Sequence, residues 1–170
     1  MDQRRRRTRD AVVSAFAGLA AQRRYGDITT GDLVAAAGIG RSTYYEHFRG
    51  KDDVMLAAME PILLTLANAV AGRASRAQVR ATLSHLWDRR SLGRIILSWR
   101  AAALVQRRLA AMIEARLTPP AAPAAPASLV AMGTAASELA MLRMWLGGEV
   151  ACSADALAGQ MIALAPKPPD

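Results

Sequence analysis

Between Gly38 and Lys51 the chain reads GIGRSTYYEHFRGK. Three of its eight aromatic residues, Tyr44, Tyr45 and Phe48, fall within five positions here, beside one of two histidines, His47, and one of two lysines, Lys51. Arg41, Ser42 and Thr43 precede them. Guanidinium, hydroxyl, phenol, imidazole and ammonium groups all donate hydrogen bonds, and such a set suits a polyanion. An arginine can pair with guanine in a major groove, small hydroxyls can approach bases or phosphates, and Tyr45, His47 and Lys51 can meet a sugar-phosphate backbone. Bond-making chemistry is not indicated. The chain has no paired-carboxylate spacing, no phosphate-cradling Gly loop and no Cys–His dyad in a recognisable motif, so no enzyme is expected.

The neighbouring segments must hold these groups in place. Val12, Val13, Phe16, Leu19 and Ala20 recur at helical spacing and predict a first helix over residues 3–24, ended at Tyr25-Gly26-Asp27. Thr29 precedes a short helix with Asp32 three residues on, an approximate capping box. Leu33, Val34 and Ala37 supply its buried side, and Gly38 stops it. Gly38-Ile39-Gly40 then forms a tight turn into a third helix over about 41–48. Two short helices joined in this way make a helix-turn-helix, whose second helix presents its leading end to a groove. One side of that helix is core, with Phe48 pointing inward, and the rest faces the polyanion. Tyr44 remains open between core and groove.

Beyond Gly50 a long helix begins at Lys51, with Asp52 and Asp53 suited to the positive end of its dipole. Pro61 interrupts its apolar spacing and is expected to kink it. Further helices are predicted at about 75–88, 91–101, 102–117, 127–147 and 154–165. The segment TPPAAPAAPA, residues 118–127, reads as an extended or mobile loop, and the tail PKPPD as frayed. No strand alternation is present. The fold class is therefore all-α: a helix-turn-helix domain over residues 1–50, then a helical bundle over 51–166.

Composition sets wider bounds. The net charge of +8 suits nucleic acid or an anionic membrane surface without choosing between them. Nine arginines against five acids in residues 1–50 account for +4 of it. Residues 73–108 hold nine more arginines and only Asp88, a solvated helix face or, less commonly, an anion pocket. One cysteine and two histidines argue against an internal disulfide or a structural zinc site, so no metal or cofactor is expected. The basic start lacks an apolar signal core. Residues 129–147 carry Glu138 and Arg143 and make a poor membrane span. A cytoplasmic protein without a membrane partner is expected.

The segment ITTGDLVAAAGIGRSTYYEHFRGKDDV resembles the DNA-binding signature of the TetR family of transcription regulators. Thr29, Thr30, Ala37-Gly38-Ile39, Thr43, Tyr45, His47-Phe48 and Lys51 stand in register with that pattern, which covers roughly residues 8–55. MWLGGEV and SADALAGQMIALA resemble the family's last two helices more loosely. The resemblance implies a homodimer on a near-palindromic double-stranded DNA operator, with a repressor released by a small-molecule effector. The alternative is a DNA-binding factor with no such effector. It places Arg41, Ser42 and Thr43 at the groove, with Arg41 the foremost base reader. Tyr45, His47, Lys51 and Thr30 fall on phosphates, Thr29 on the same DNA-facing side.

Gly31 departs from the pattern: members often carry a long polar side chain there, and its absence throws readout onto Arg41. Gly40 stands where Ser is common. Arg4, Arg5, Arg6 and Arg7 could form a flexible arm along phosphates or into the minor groove. On the helix at 127–147, Gly133, Ala136, Ser137, Ala140 and Met144 form a stripe that the resemblance assigns to the dimer interface, and internal packing is the duller reading. Met59, Leu63, Trp87, Trp99, Met141 and Trp145 are candidates for an effector cavity, though such residues are more often simply core.

Overall fold

In the computed structural model, residues 3–90, 93, 99–117 and 125–165 are described, with Trp99 and Arg100 described in their backbone only. They form α1 (Gln3–Gln22), a 3-10 turn (Tyr25–Asp27), α2 (Thr30–Ala37), α3 (Arg41–Tyr45) and α4 (Lys51–Val70). Four more helices follow: α5 (Arg76–Asp88), α6 (Trp99–Glu114), α7 (Ala127–Gly147) and α8 (Ala154–Ala163). No strand occurs among the described residues, in keeping with the all-α expectation. Most of the helix expected at 91–101 and most of the loop expected at 118–127 lie outside the described residues.

The chain divides into two compact units, Met1–Glu60 and Pro61–Asp170. In the first, α1 packs on α2 and α2 on α3. Val12, Phe16 and Ala20 recur every four residues and are fully buried, with Ile28, Leu33, Tyr44, Val54 and Met55. Burying side chains of this size contributes about 1.5–3 kcal/mol each. Phe16 meets Tyr25 edge-on at 6.2 Å between ring centroids. The third helix is shorter than expected. The amides of His47 and Phe48 both turn back to the Tyr44 carbonyl at 3.0 Å, tightening the backbone after Tyr45 and aiming Phe48 inward.

In the second unit α6 packs on α7 and α5 on α8. Ser75 caps α5 in a reciprocal box with Gln78. Arg76 ties α5 to α8: its Nη2 and Nε meet the Asp155 carboxylate at 2.7 and 3.1 Å. A β-carbon on Gly159 would stand 3.3 Å from the Arg76 guanidinium carbon, so the glycine leaves room for that tie.

Helix α4 contributes to both units and continues through Pro61 to Val70. By length and composition it is apolar enough to cross a bilayer. Its composition has another cause. Val54, Met55 and Met59 are buried before Pro61, and Leu63, Leu66, Ala67 and Ala69 after it.

Candidate nucleic-acid interface

The site is built from α2 upward. Thr29 Oγ1 accepts the Asp32 amide at 3.1 Å, and Asp32 Oδ2 accepts the Thr29 amide at 2.8 Å and its hydroxyl at 2.6 Å. This closes the capping box read from the sequence. The Thr29 hydroxyl, then its amide, then Arg23 Nη1 at 3.1 Å, hold the Asp32 carboxyl below its ordinary pKa. At the other end Gly38 takes φ 65°, a left-handed conformation that suits glycine. Its amide reaches the Ala35 carbonyl at 3.2 Å, and that of Ile39 reaches Val34 at 3.3 Å. The chain thereby reverses into α3 through Gly40.

Helix α3 presents Arg41 and Ser42 to solvent, with Thr43 half-buried behind them. Tyr45 is 59% exposed and lies edge-on against Tyr44 at 5.3 Å. His47 is half-buried beside Phe48. Arg41 leans toward α2, its Nη2 3.9 Å from where a β-carbon on Gly31 would stand. The departure noted at Gly31 therefore leaves space that the guanidinium borders.

Three expectations change. Tyr44 is fully buried, and burial raises its phenol pKa, so it anchors α3 and does not belong to the groove face. Lys51 is not free to meet a phosphate. Its Nζ donates to the carbonyls of Tyr25 at 2.9 Å, Gly26 at 3.1 Å and Ile28 at 2.9 Å, which uses all three of its protons. It also lies 4.7 Å from the Tyr25 ring centroid. The Tyr25 hydroxyl donates to Asp52, and burial first, then that carboxylate, raises the phenol pKa. Lys51 thus clamps the α1–α2 connection to the start of α4. The Arg4–Arg7 run is exposed but helical from Gln3, so it is an extension of α1 and not a flexible arm.

One basic group was missed. The Arg9 guanidinium lies 4.9 Å from the Phe48 ring centroid, bringing a cation of α1 to the end of the helix-turn-helix. Its place after the arginine run was the only signal in the sequence.

In the second unit, Met141, Met144, Trp145, Val150, Cys152, Ala156, Leu157 and Gln160 line an apolar groove of about 280 Å³ between the end of α7 and α8. Of the expected cavity residues, Met141 and Trp145 line it. Trp87 stacks on Trp145 with centroids 4.7 Å apart and carries Arg90 at 5.2 Å over its ring. Met59 and Leu63 are buried core residues of α4, and the Trp99 side chain lies outside the described residues. The stripe assigned to a dimer interface stays uncovered: Gly133, Ser137 and Met144 are exposed and Ala136 and Ala140 half-buried.

Residues 13–58 match the profile of the bacterial regulatory proteins of the tetR family. Over those residues the chain is similar to the DNA-binding domain of that family. No curated protein matches it. Among solved structures it is similar to a TetR transcriptional regulator from Streptococcus agalactiae 2603V, with TM-score 0.60, 20% identity and coverage of 98% of this chain and 97% of that one. A putative TetR-family regulator from Syntrophomonas wolfei str. Goettingen gives TM-score 0.60 at 16% identity, covering 96% and 94%. The dihydroxyacetone kinase operon activator DhaS gives 0.56 at 18%, covering 93% of each chain. At such identities the likeness establishes the fold, and it does so over nearly the whole length. TetR-family regulators bind DNA and typically act as dimers.

Proposed function

We propose that this protein is a TetR-family regulator and a cytoplasmic repressor, binding a palindromic operator as a homodimer and released by a small molecule. The observation that carries the DNA reading is the division of α3: Tyr44 is buried, while Arg41, Ser42 and Tyr45 face solvent. Arg41, with Ser42 and Thr43, reads bases. Tyr45, His47, Thr30 and Thr29 face the backbone, joined by Arg9 and the helical Arg4–Arg7 run. Residues 1–50 serve as the DNA-binding domain, and residues 51–166 bind the effector and dimerise. Two copies related by a dyad would set two α3 helices in successive major grooves.

Support for dimerisation is the uncovered side of α7. Met132 and Met144 are 36% and 42% exposed beside Gly133, Ser137 and Ala140, while the opposite side of the same helix is core. Release requires an effector that binds better to a conformer whose α3 helices are wrongly spaced. In this reading α4 is the lever and Pro61 its hinge.

A second reading is DNA binding without a small-molecule effector. The groove's volume of about 280 Å³ favours it, lying just under the usual range for ligand sites. The similarity in fold to an operon activator likewise keeps activation open as the sign of control. Selecting bound fragments from the source genome, then titrating operator affinity against metabolites and drugs, tests both. A dyad-symmetric operator weakened by at least one compound supports the first reading. An operator indifferent to every compound supports the second, and failure to select any operator overturns both.

A further inference from the structure

Glu138 stands in the middle of α7 with its side chain entirely out of solvent. Neither carboxylate oxygen has a hydrogen-bond partner. Its stripe along the helix is Ala131, Ala135, Leu142 and Trp145, all buried. A carboxylate in such surroundings is costly unless it is neutralised or paired, and burial pushes its pKa up to about 8. The chain is rich in cations, yet among the described residues they are engaged or placed elsewhere. Arg76 is held by Asp155, Arg116 donates to Asn68 and the Met112 carbonyl, and Arg90 lies over Trp87. Helix α6, which packs on α7, carries Arg107, Arg108 and Glu114 on exposed positions, and Arg143 of α7 itself is exposed. A buried carboxyl left without a partner, inside a protein of net charge +8, can give up its proton and take a cation from outside in its place.

We propose that Glu138 is the counter-ion for a cationic, otherwise apolar small molecule taken up by the second unit. This deepens the effector-controlled reading and rests on it. Met141 and Trp145 lie three and seven residues further along, on the same side of α7, and both line the apolar groove. The groove, which Glu138 does not itself line, supplies apolar and aromatic surface through Met141, Met144 and Trp145, and Glu138 one turn earlier on α7 supplies the charge. Selection between a cation and its neutral shape-match then comes from one residue.

The test uses the full chain and a series of benzyl-, phenethyl- and naphthylmethyl-trimethylammonium ions, each beside its uncharged carbon analogue. Binding is read from the thermal midpoint and by calorimetry, and operator affinity is followed in parallel. At least one cation is expected to bind at least tenfold more tightly than its analogue, and Glu138→Gln to remove that preference. Glu138→Leu serves as a second neutral variant should the first not fold. No binding by any cation, or an equal preference in the variants, overturns the proposal. Binding lost in Glu138→Gln but without effect on operator affinity leaves the site standing and removes effector control. Operator release by neutral compounds, unaffected by the substitution, does the reverse.

Discussion

Lys51 Nζ lies 4.7 Å from the Tyr25 ring centroid while donating to the Tyr25 carbonyl at 2.9 Å, so one side chain grips both the ring and the backbone of a residue 26 positions earlier. The Gly26 and Ile28 carbonyls complete the grip. Lys51→Ala should therefore destabilise the N-terminal unit by about 1.5–3 kcal/mol, the range for hydrogen bonds to a charged group. Operator affinity should fall through misplacement of α2, with the salt slope unchanged. A phosphate-contacting lysine would instead reduce that slope by about 1 on removal. Urea unfolding and salt-titrated anisotropy separate the two roles.

Arg41 borders the space above Gly31. Arg41→Ala should cost about 1–3 kcal/mol of binding and relax base preference at one position in each half-site. Gly31→Gln sets a long side chain within reach of the guanidinium, since a β-carbon there already stands 3.9 Å from Nη2. It should change the preferred base at that position while leaving the melting midpoint nearly unmoved. Selection of bound sequences from a random pool reads both variants, and an unchanged preference would count against the assigned role.

A β-carbon on Gly133 would meet nothing within 4 Å, so Gly133→Arg is tolerated within one subunit. Replacing a mid-helix glycine should even stabilise the monomer by about 0.5–1 kcal/mol. If the uncovered side of α7 is the dimer interface, the same change should raise the dimer dissociation constant at least tenfold and weaken operator binding. Sedimentation velocity beside thermal unfolding checks this opposition of signs. A variant that is as dimeric as the wild type places the interface elsewhere.

Glu138 also sets a pH dependence. Its folded pKa of about 8 lies above the ordinary 4.5, so between those values the folded chain holds a proton that the unfolded chain has released. Stability should consequently fall as pH rises from 4.5 to 8, with a slope of at most about 1.4 kcal/mol per pH unit from this group. Glu138→Gln should remove that contribution and make the chain more stable at pH 8. Urea midpoints across this range provide the measurement, and identical slopes in the two proteins would contradict it.

What the sequence made legible was local. Thr29 and Asp32 are three residues apart and announce their capping box, and Gly38 announces the end of α2 because so few residues accept φ 65°. Helical spacing marked Val12, Phe16 and Ala20 as core in the same way. The failures are tertiary. A lysine opening a helix looks like a phosphate contact until the carbonyls of Tyr25, Gly26 and Ile28 arrive beneath it from another segment. Tyr44 and Tyr45 are adjacent aromatic residues with opposite fates, decided by the turn of α3 against α2. Glu138 read as a reason to reject a membrane span, since nothing in its neighbours announces that both oxygens would be buried without a partner.

Methylation interference at guanine N7 on a selected operator, compared between the wild type and Arg41→Ala, bears most directly on the orientation of α3. The wild type should show two dyad-related sites of interference, about 10 base pairs or a multiple apart, each lost in the variant. A pattern without symmetry, or one the variant reproduces in full, would contradict the placement of α3 in the groove.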